Sequence, residues 1–176
     1  MSPKEQKAVT VSIVIPVYNE EGNISLLMEK LEQVLADFSY EILFVDDGSS
    51  DGTLEKIKAL RRSKPHLHYL SLSRNFGHQN ALKAGLDQAS GDCVITMDGD
   101  LQHPPAVIPM MLEKWREGFE VVYTIRDDGR AMPFFKRTTA RLFYGLINLI
   151  AEVRVQEGTA DFRLLDRSVV DVLKNL

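Results

Sequence analysis

With 176 residues, 44% of them hydrophobic, the chain is long enough to bury one sizeable core and too short for two ordinary domains. A net charge of −4 excludes a surface built throughout to embrace nucleic acid. The lone cysteine, Cys93, excludes an internal disulfide, and within the apolar run Cys93-Val94-Ile95 it reads as a buried, inert thiol of a reducing compartment.

Residues 1–8 carry charge but lead into no signal-peptide core, and are expected to be a disordered extension ahead of a single domain over residues 9–176. Val9 to Val17 is β-branched and nearly all apolar, which predicts a strand buried on both faces, with Pro16 at its end because proline cannot donate to a central ladder. The turn Tyr18-Asn19-Glu20-Glu21-Gly22 follows. Ile24, Leu27, Leu31, Val34 and Leu35 then recur at helical spacing, with Asn23 placed to cap the helix. A second strand, Glu41 to Val45, runs into Asp46-Asp47-Gly48-Ser49-Ser50-Asp51.

The alternation continues with a helix near Thr53 to Arg62, a strand near Leu67 to Leu72 and a helix from about His78 to Ala89. A strand over Asp92 to Met97 ends on Asp98-Gly99-Asp100; a helix from Pro105 to Glu117 and a strand from Glu120 to Ile125 complete the series. Such alternation requires a mostly parallel sheet with helices on both faces, because parallel neighbours need crossover helices. After Arg126 come a polar loop (Asp127 to Arg130), a helix from about Pro133 to Ala151, a short strand Phe162 to Leu165 and a last helix. That last pattern still runs at Leu176 without a Gly or Asn cap, which is expected of a fragment of a longer protein. The apolar stretch Leu142 to Ala151 is about half the ~20 residues a membrane-spanning helix needs.

In open parallel sheets ligands bind beyond the carboxyl ends of the strands. Those places hold Pro16 to Glu20, Asp46-Asp47, Arg74-Asn75 and Asp98-Gly99-Asp100. Two carboxylates around one glycine can present oxygens to a hard cation, Mg²⁺ or Mn²⁺, that bridges a diphosphate. Gln102 would add a neutral oxygen, whereas His103 reads as a turn residue, because a hard-cation site prefers oxygen. An ordinary surface turn is the competing reading of Asp-Gly-Asp. Asp46-Asp47 reads either as a helix cap or as an acceptor for a nucleoside; capping belongs more naturally to Ser50 or Asp51, which leaves Asp46 free to accept from a base. Arg74 could lie against the base or the diphosphate, with Gly77 permitting close backbone approach.

Through Ser12-Ile13-Val14-Ile15-Pro16-Val17-Tyr18-Asn19-Glu20-Glu21, Val45-Asp46-Asp47-Gly48-Ser49, Arg74-Asn75-Phe76-Gly77 and Asp98-Gly99-Asp100, the chain resembles the family 2 glycosyltransferases of GT-A fold. Asp100-Leu101-Gln102-His103-Pro104-Pro105 and Thr159-Ala160-Asp161-Phe162-Arg163-Leu164-Leu165-Asp166 resemble its polyprenyl-phosphate branch. The resemblance implies an α/β, Rossmann-like GT-A domain, a nucleotide-diphosphate sugar (UDP- or GDP-linked) as donor, and a lipid phosphate as acceptor. It implies Pro16, Tyr18, Asn19, Glu20, Asp46, Asp47 and Arg74 toward the donor, Asp98, Asp100 and Gln102 at Mg²⁺ or Mn²⁺, Arg126, Lys136 and Arg137 around the acceptor phosphate, and Asp161 near the reacting groups. The branch normally continues into membrane helices and acts at the cytoplasmic face of the membrane; this chain by itself reads as soluble. Basic residues beside the stripe Leu142, Phe143, Leu146, Ile147 and Ile150 suit a membrane surface, although such a stripe also packs on a domain.

The expected chemistry is an inverting single displacement in which the protein positions and neutralises. A phosphate acceptor, with a second pKa of about 6, is already largely anionic at neutral pH and needs no general base. The alternatives are transfer to a sugar hydroxyl in glycan synthesis, nucleotide-sugar binding without turnover, and a phosphoacceptor signalling domain. That last domain carries its acidic pair after the first strand, whereas here the pair follows the second.

Overall fold

The computed structural model describes residues 10–125 and 159–175. The chain divides into two compact units, Met1–Val122 with Asp161–Leu176, and Tyr123–Ala160; of the second, only the ends of two strands fall within the described residues. The expected extension over residues 1–8, the loop after Arg126 and the helix from Pro133 to Ala151 lie outside them.

Strand β1 (Thr10–Val17), helix α1 (Ile24–Leu35), β2 (Ser39–Asp46), α2 (Thr53–Arg61), β3 (Leu67–Ser71), α3 (His78–Gln88) and β4 (Cys93–Thr96) alternate as predicted. A 3-10 turn (Pro105–Val107), α4 (Ile108–Arg116), β5 (Val121–Ile125), β6 (Thr159–Asp166) and α5 (Arg167–Lys174) follow. The six strands form one sheet in the order β3-β2-β1-β4-β6-β5. β1 lies parallel to both neighbours, Ile13 opposite Ile42 on one side and Ile95 on the other. Its apolar composition follows from that place, since a central strand meets no water on either face. Pro16 falls in the last two residues, beside Val45, as its missing N–H requires.

Strand alternation sends Val14, Leu43, Val45 and Val94 to the face covered by α3 and α5, where Ala81, Leu82, Leu86 and Val170 meet them. α1 turns Ile24, Leu27, Met28, Leu31 and Leu35 inward.

Several local expectations are corrected. Asn23 occupies the N-cap position of α1 but makes no side-chain cap bond; its amide donates instead to Glu20 Oε2 at 2.6 Å. The helix expected from Pro105 is broken, because Pro109 has no N–H to give to the Pro105 carbonyl four residues back, so Ile108 N–H closes a tighter turn onto Pro105 O. The expected short strand Phe162 to Leu165 is an eight-residue strand running antiparallel to β4. α5 ends at Lys174, with Asn175 as its C-cap.

Candidate functional site

The strand order sets the location of the site. β2 and β3 lie to one side of β1 and β4 to the other, so the loops leaving β1 and β4 diverge and open a crevice at this switch point. A cavity of about 300 Å³ lies there, lined among others by Pro16, Tyr18, Glu20, Asp47, Asp98 and Asp100.

The loop after β1 is fastened to the loop after β2. Asn19 N–H donates to Ser49 Oγ (2.9 Å), Ser50 N–H to Asn19 Oδ1 (2.8 Å) and Glu20 N–H to Thr53 Oγ1 (2.8 Å). Asn19 holds a left-handed φ of 56°, which asparagine tolerates better than most residues. These bonds leave Tyr18 46% exposed at the cavity rim.

Asp46 and Asp47 divide their work. Asp46 is buried, with Oδ1 accepting from Ser49 N–H (3.2 Å) and Oδ2 from Ser71 Oγ (3.3 Å). Asp47 lines the cavity and clamps the loop before α3, taking Phe76 N–H at Oδ1 (2.8 Å) and Gly77 N–H at Oδ2 (2.9 Å). The expected capping by Ser50 or Asp51 is corrected: Gly52 holds the N-cap position of α2 without a side-chain cap bond, and Asp51, one residue earlier, accepts Thr53 N–H at Oδ1 (3.0 Å) in a local turn. Gly77 has φ 93° and open space around its missing side chain, so the backbone conformation there, not a close approach by this chain, calls for glycine.

Asp98-Gly99-Asp100 follows β4 and presses against β1. A Cβ on Gly99 would stand 2.6 Å from Val17 Cγ1, so only glycine lets the turn sit this close. Asp100 Oδ1 accepts from Gln102 N–H at 2.9 Å, and Leu101 between them has φ 64°, a conformation costly for a branched side chain. His103 is buried and stacks on Phe162, ring centroids 5.3 Å apart. Its Nδ1 accepts from Asp98 N–H at 3.1 Å. A ring nitrogen that accepts carries no proton to give, so the 3.7 Å approach of Nδ1 to Asp98 Oδ2 is proximity and not an ion pair.

The structure therefore brings together Pro16, Tyr18, Glu20, Asp47, Asp98 and Asp100. Asn19, Asp46, Arg74 and Gln102 stand outside the cavity lining; the Arg74 guanidinium lies over the Phe76 ring, 4.7 Å from its centroid. Arg126, Lys136, Arg137 and the Asp161 side chain lie outside the described residues. One residue that sequence reasoning gave no role is His78, which lines the cavity with Nε2 3.6 Å from Asp98 Oδ1. Its place at the start of a helix after a strand-end loop was the available signal. Among the described residues, no group of three or more His, Cys, Asp and Glu is arranged to hold a metal by itself, and no helix is long and apolar enough to cross a membrane.

Residues 12–173 match the family model described as Glycosyl transferase family 2. The chain belongs to glycosyl transferase family 2. This family 2 chain is 43% identical over 170 residues to the uncharacterized glycosyltransferase YkcC of Bacillus subtilis, covering 96% of the chain and 53% of that protein. It is 45% identical over 168 residues to the bactoprenol glucosyl transferase of Shigella phage SfV, covering 94% of the chain and 55% of that protein. The chain spans about half the length of the curated relatives it matches. The mannosyltransferase PcManGT of Pyrobaculum calidifontis, solved with GDP-Man and Mn²⁺, superposes with TM-score 0.65 at 20% identity, covering 98% of this chain and 48% of that one. That likeness establishes the shared fold, the GT-A arrangement of the family 2 enzymes.

Proposed function

We propose that residues 9–176 form the catalytic domain of an inverting glycosyltransferase that moves a hexosyl group from a nucleoside-diphosphate sugar to a polyprenyl phosphate at a membrane surface. The observation that carries this reading is the placing of Asp98 and Asp100, either side of Gly99, on a cavity they share with Tyr18, Glu20 and Asp47. The likeness to a relative named bactoprenol glucosyl transferase supports the choice of acceptor.

Asp98 and Asp100 suit Mg²⁺ or Mn²⁺. Oxygen donors match a hard cation, and two protein carboxylates are the usual complement when the remaining ligands are diphosphate oxygens and water. Gln102 would add a neutral oxygen from the same turn. When bound, such a cation neutralises the charge that grows on the departing diphosphate.

The protein's own residues do the rest by position. Tyr18 offers an exposed ring face to a base, and Asp47 holds the loop that borders the donor. Arg126, Lys136 and Arg137 would bind the acceptor phosphate, whose oxygen attacks the anomeric carbon as the bond to the nucleoside diphosphate breaks. Asp161 orients that oxygen. Water is kept from the reaction by filling the crevice with both substrates.

The test is product formation from UDP- and GDP-linked hexoses with Mn²⁺, offered a polyprenyl phosphate or the corresponding polyprenol. Transfer to the phosphate alone, lost in Asp100→Asn and with EDTA, is expected. Transfer to the free alcohol or to a sugar hydroxyl would overturn the choice of acceptor, and undiminished transfer by Asp100→Asn would overturn the donor site.

A further inference from the structure

The Asp98-to-His103 turn is held in a conformation that its own sequence resists. Leu101 sits at φ 64°, and such a residue persists only where its surroundings over-determine it. Two bonds within the turn do this: Gln102 N–H to Asp100 Oδ1, and Asp98 N–H to His103 Nδ1. The first uses an oxygen of a carboxylate that lines the cavity, so it competes with anything else that carboxylate binds. The second uses only the ring of His103, which is buried and anchored by its stack on Phe162 of β6.

We propose that His103 is a positioning residue, whose Nδ1 fixes the Asp98-Gly99-Asp100 turn in the shape that binds the cation and diphosphate. This rests on the donor-site reading given above. His103 touches neither substrate nor cation; it acts through the Asp98 backbone. Because its ring packs on Phe162, the residue after Asp161, the same side chain ties the donor turn to the strand that carries Asp161.

Two substitutions separate the acceptor from the ring. His103→Asn places Oδ1 where Nδ1 stood and keeps the acceptor without the stack. His103→Phe keeps a stacking ring and loses the acceptor. Affinity for UDP and for GDP is measured on the full chain by calorimetry with and without Mn²⁺, alongside thermal melting and Asp100→Asn as a reference. His103→Phe is expected to lose tenfold or more of the Mn²⁺-dependent affinity while melting cooperatively, and His103→Asn to stay within threefold of wild type. Wild-type affinity in His103→Phe would overturn the positioning role alone, as would equal losses in both variants, which would make the ring merely structural. Absence of Mn²⁺-dependent binding in the wild type, or its survival in Asp100→Asn, would overturn the donor-site reading and this role with it.

Discussion

Asp47 and Gly77 are joined by a hydrogen bond of 2.9 Å from the Gly77 N–H to Asp47 Oδ2, while the other carboxylate oxygen takes the neighbouring Phe76 N–H. Both groups of the loop that starts α3 are thus tied to the end of β2. Asn75 Oδ1 also reaches Gly77 N–H at 3.0 Å, so loss of the carboxylate falls mainly on Phe76. Asp47→Ala is expected to lower stability by about 1–3 kcal/mol, the cost of one unsatisfied partner of a charged acceptor. It should weaken UDP or GDP binding about tenfold. Urea unfolding and calorimetry on the same preparation check both figures, and wild-type values in both would show that the loop needs no clamp.

Gly99 admits a sharper test, because its conflict has one identified partner. Gly99→Ala would drive a methyl into Val17 Cγ1, and overpacking of this kind costs about 1–3 kcal/mol. Mn²⁺-dependent nucleotide binding should fall with it. Val17→Ala removes the obstructing carbon, so the double variant is expected to bind better than Gly99→Ala alone, although it gives up some core packing. Absence of any such recovery would mean that glycine is needed there for another reason.

Asp161 and Asp100 should separate by chemistry. If the acceptor is a phosphate, already anionic at neutral pH with a second pKa of about 6, removing the Asp161 charge deprives the reaction of no proton acceptor. Asp161→Asn is then expected to reduce kcat by about tenfold, against about a thousandfold or more for Asp100→Asn, on the scale of losing a principal electrostatic contact. Complete inactivity of Asp161→Asn in steady-state kinetics would point to a general base and to a hydroxyl acceptor.

Stability against acid should depend on Asp166. Hydrogen bonds from the Ser168 hydroxyl and the Trp115 indole hold its carboxyl below the usual range, while it caps α5 through Ser168 N–H at 2.9 Å. A depressed folded-state value means that the unfolded chain takes up the proton first as pH falls. The stabilisation is therefore present above about pH 4, the ordinary carboxylate value, and is lost as pH drops through the lower folded one. Asp166→Ala is expected to cost about 1 kcal/mol at pH 7, a typical N-cap contribution. Urea midpoints should show that difference shrinking as pH falls below about 4; a constant difference would contradict the assignment.

The loops that meet at the cavity were legible in the sequence because the signals for them are local. Apolar β-branched runs mark the buried strands, and the polar residues directly after them, Tyr18-Asn19-Glu20 and Asp98-Gly99-Asp100, fall where a parallel sheet puts its crevice. What escaped depends on partners distant in sequence. The length and direction of β6 come from pairing Cys93 with Asp166 and Thr96 with Arg163, which a run of four apolar-flanked residues does not reveal. Asn23 turned from capping because the Glu20 carboxylate was within reach. Arg74 found Phe76, two residues along the same loop. His78 gained its place beside Asp98 from the packing of α3 across β1 and β2, a tertiary relation of which its position at the head of a helix after a strand-end loop gave only the general location.

The sheet order also dictates a timetable for assembly. β1 to β4 arise from residues 10–96 and lie side by side in the order β3-β2-β1-β4, so this parallel half can form while later residues are still being made. Among the described residues β5 has β6 as its only neighbour, and that pairing must wait until residues 159–166 emerge from the ribosome. During that interval its edge, with Val121 and Tyr123 exposed even in the finished fold, is open to other chains. Slow synthesis through the intervening segment would lengthen this exposure, so misassembly in overproducing cells should begin at β5 and not at the donor crevice.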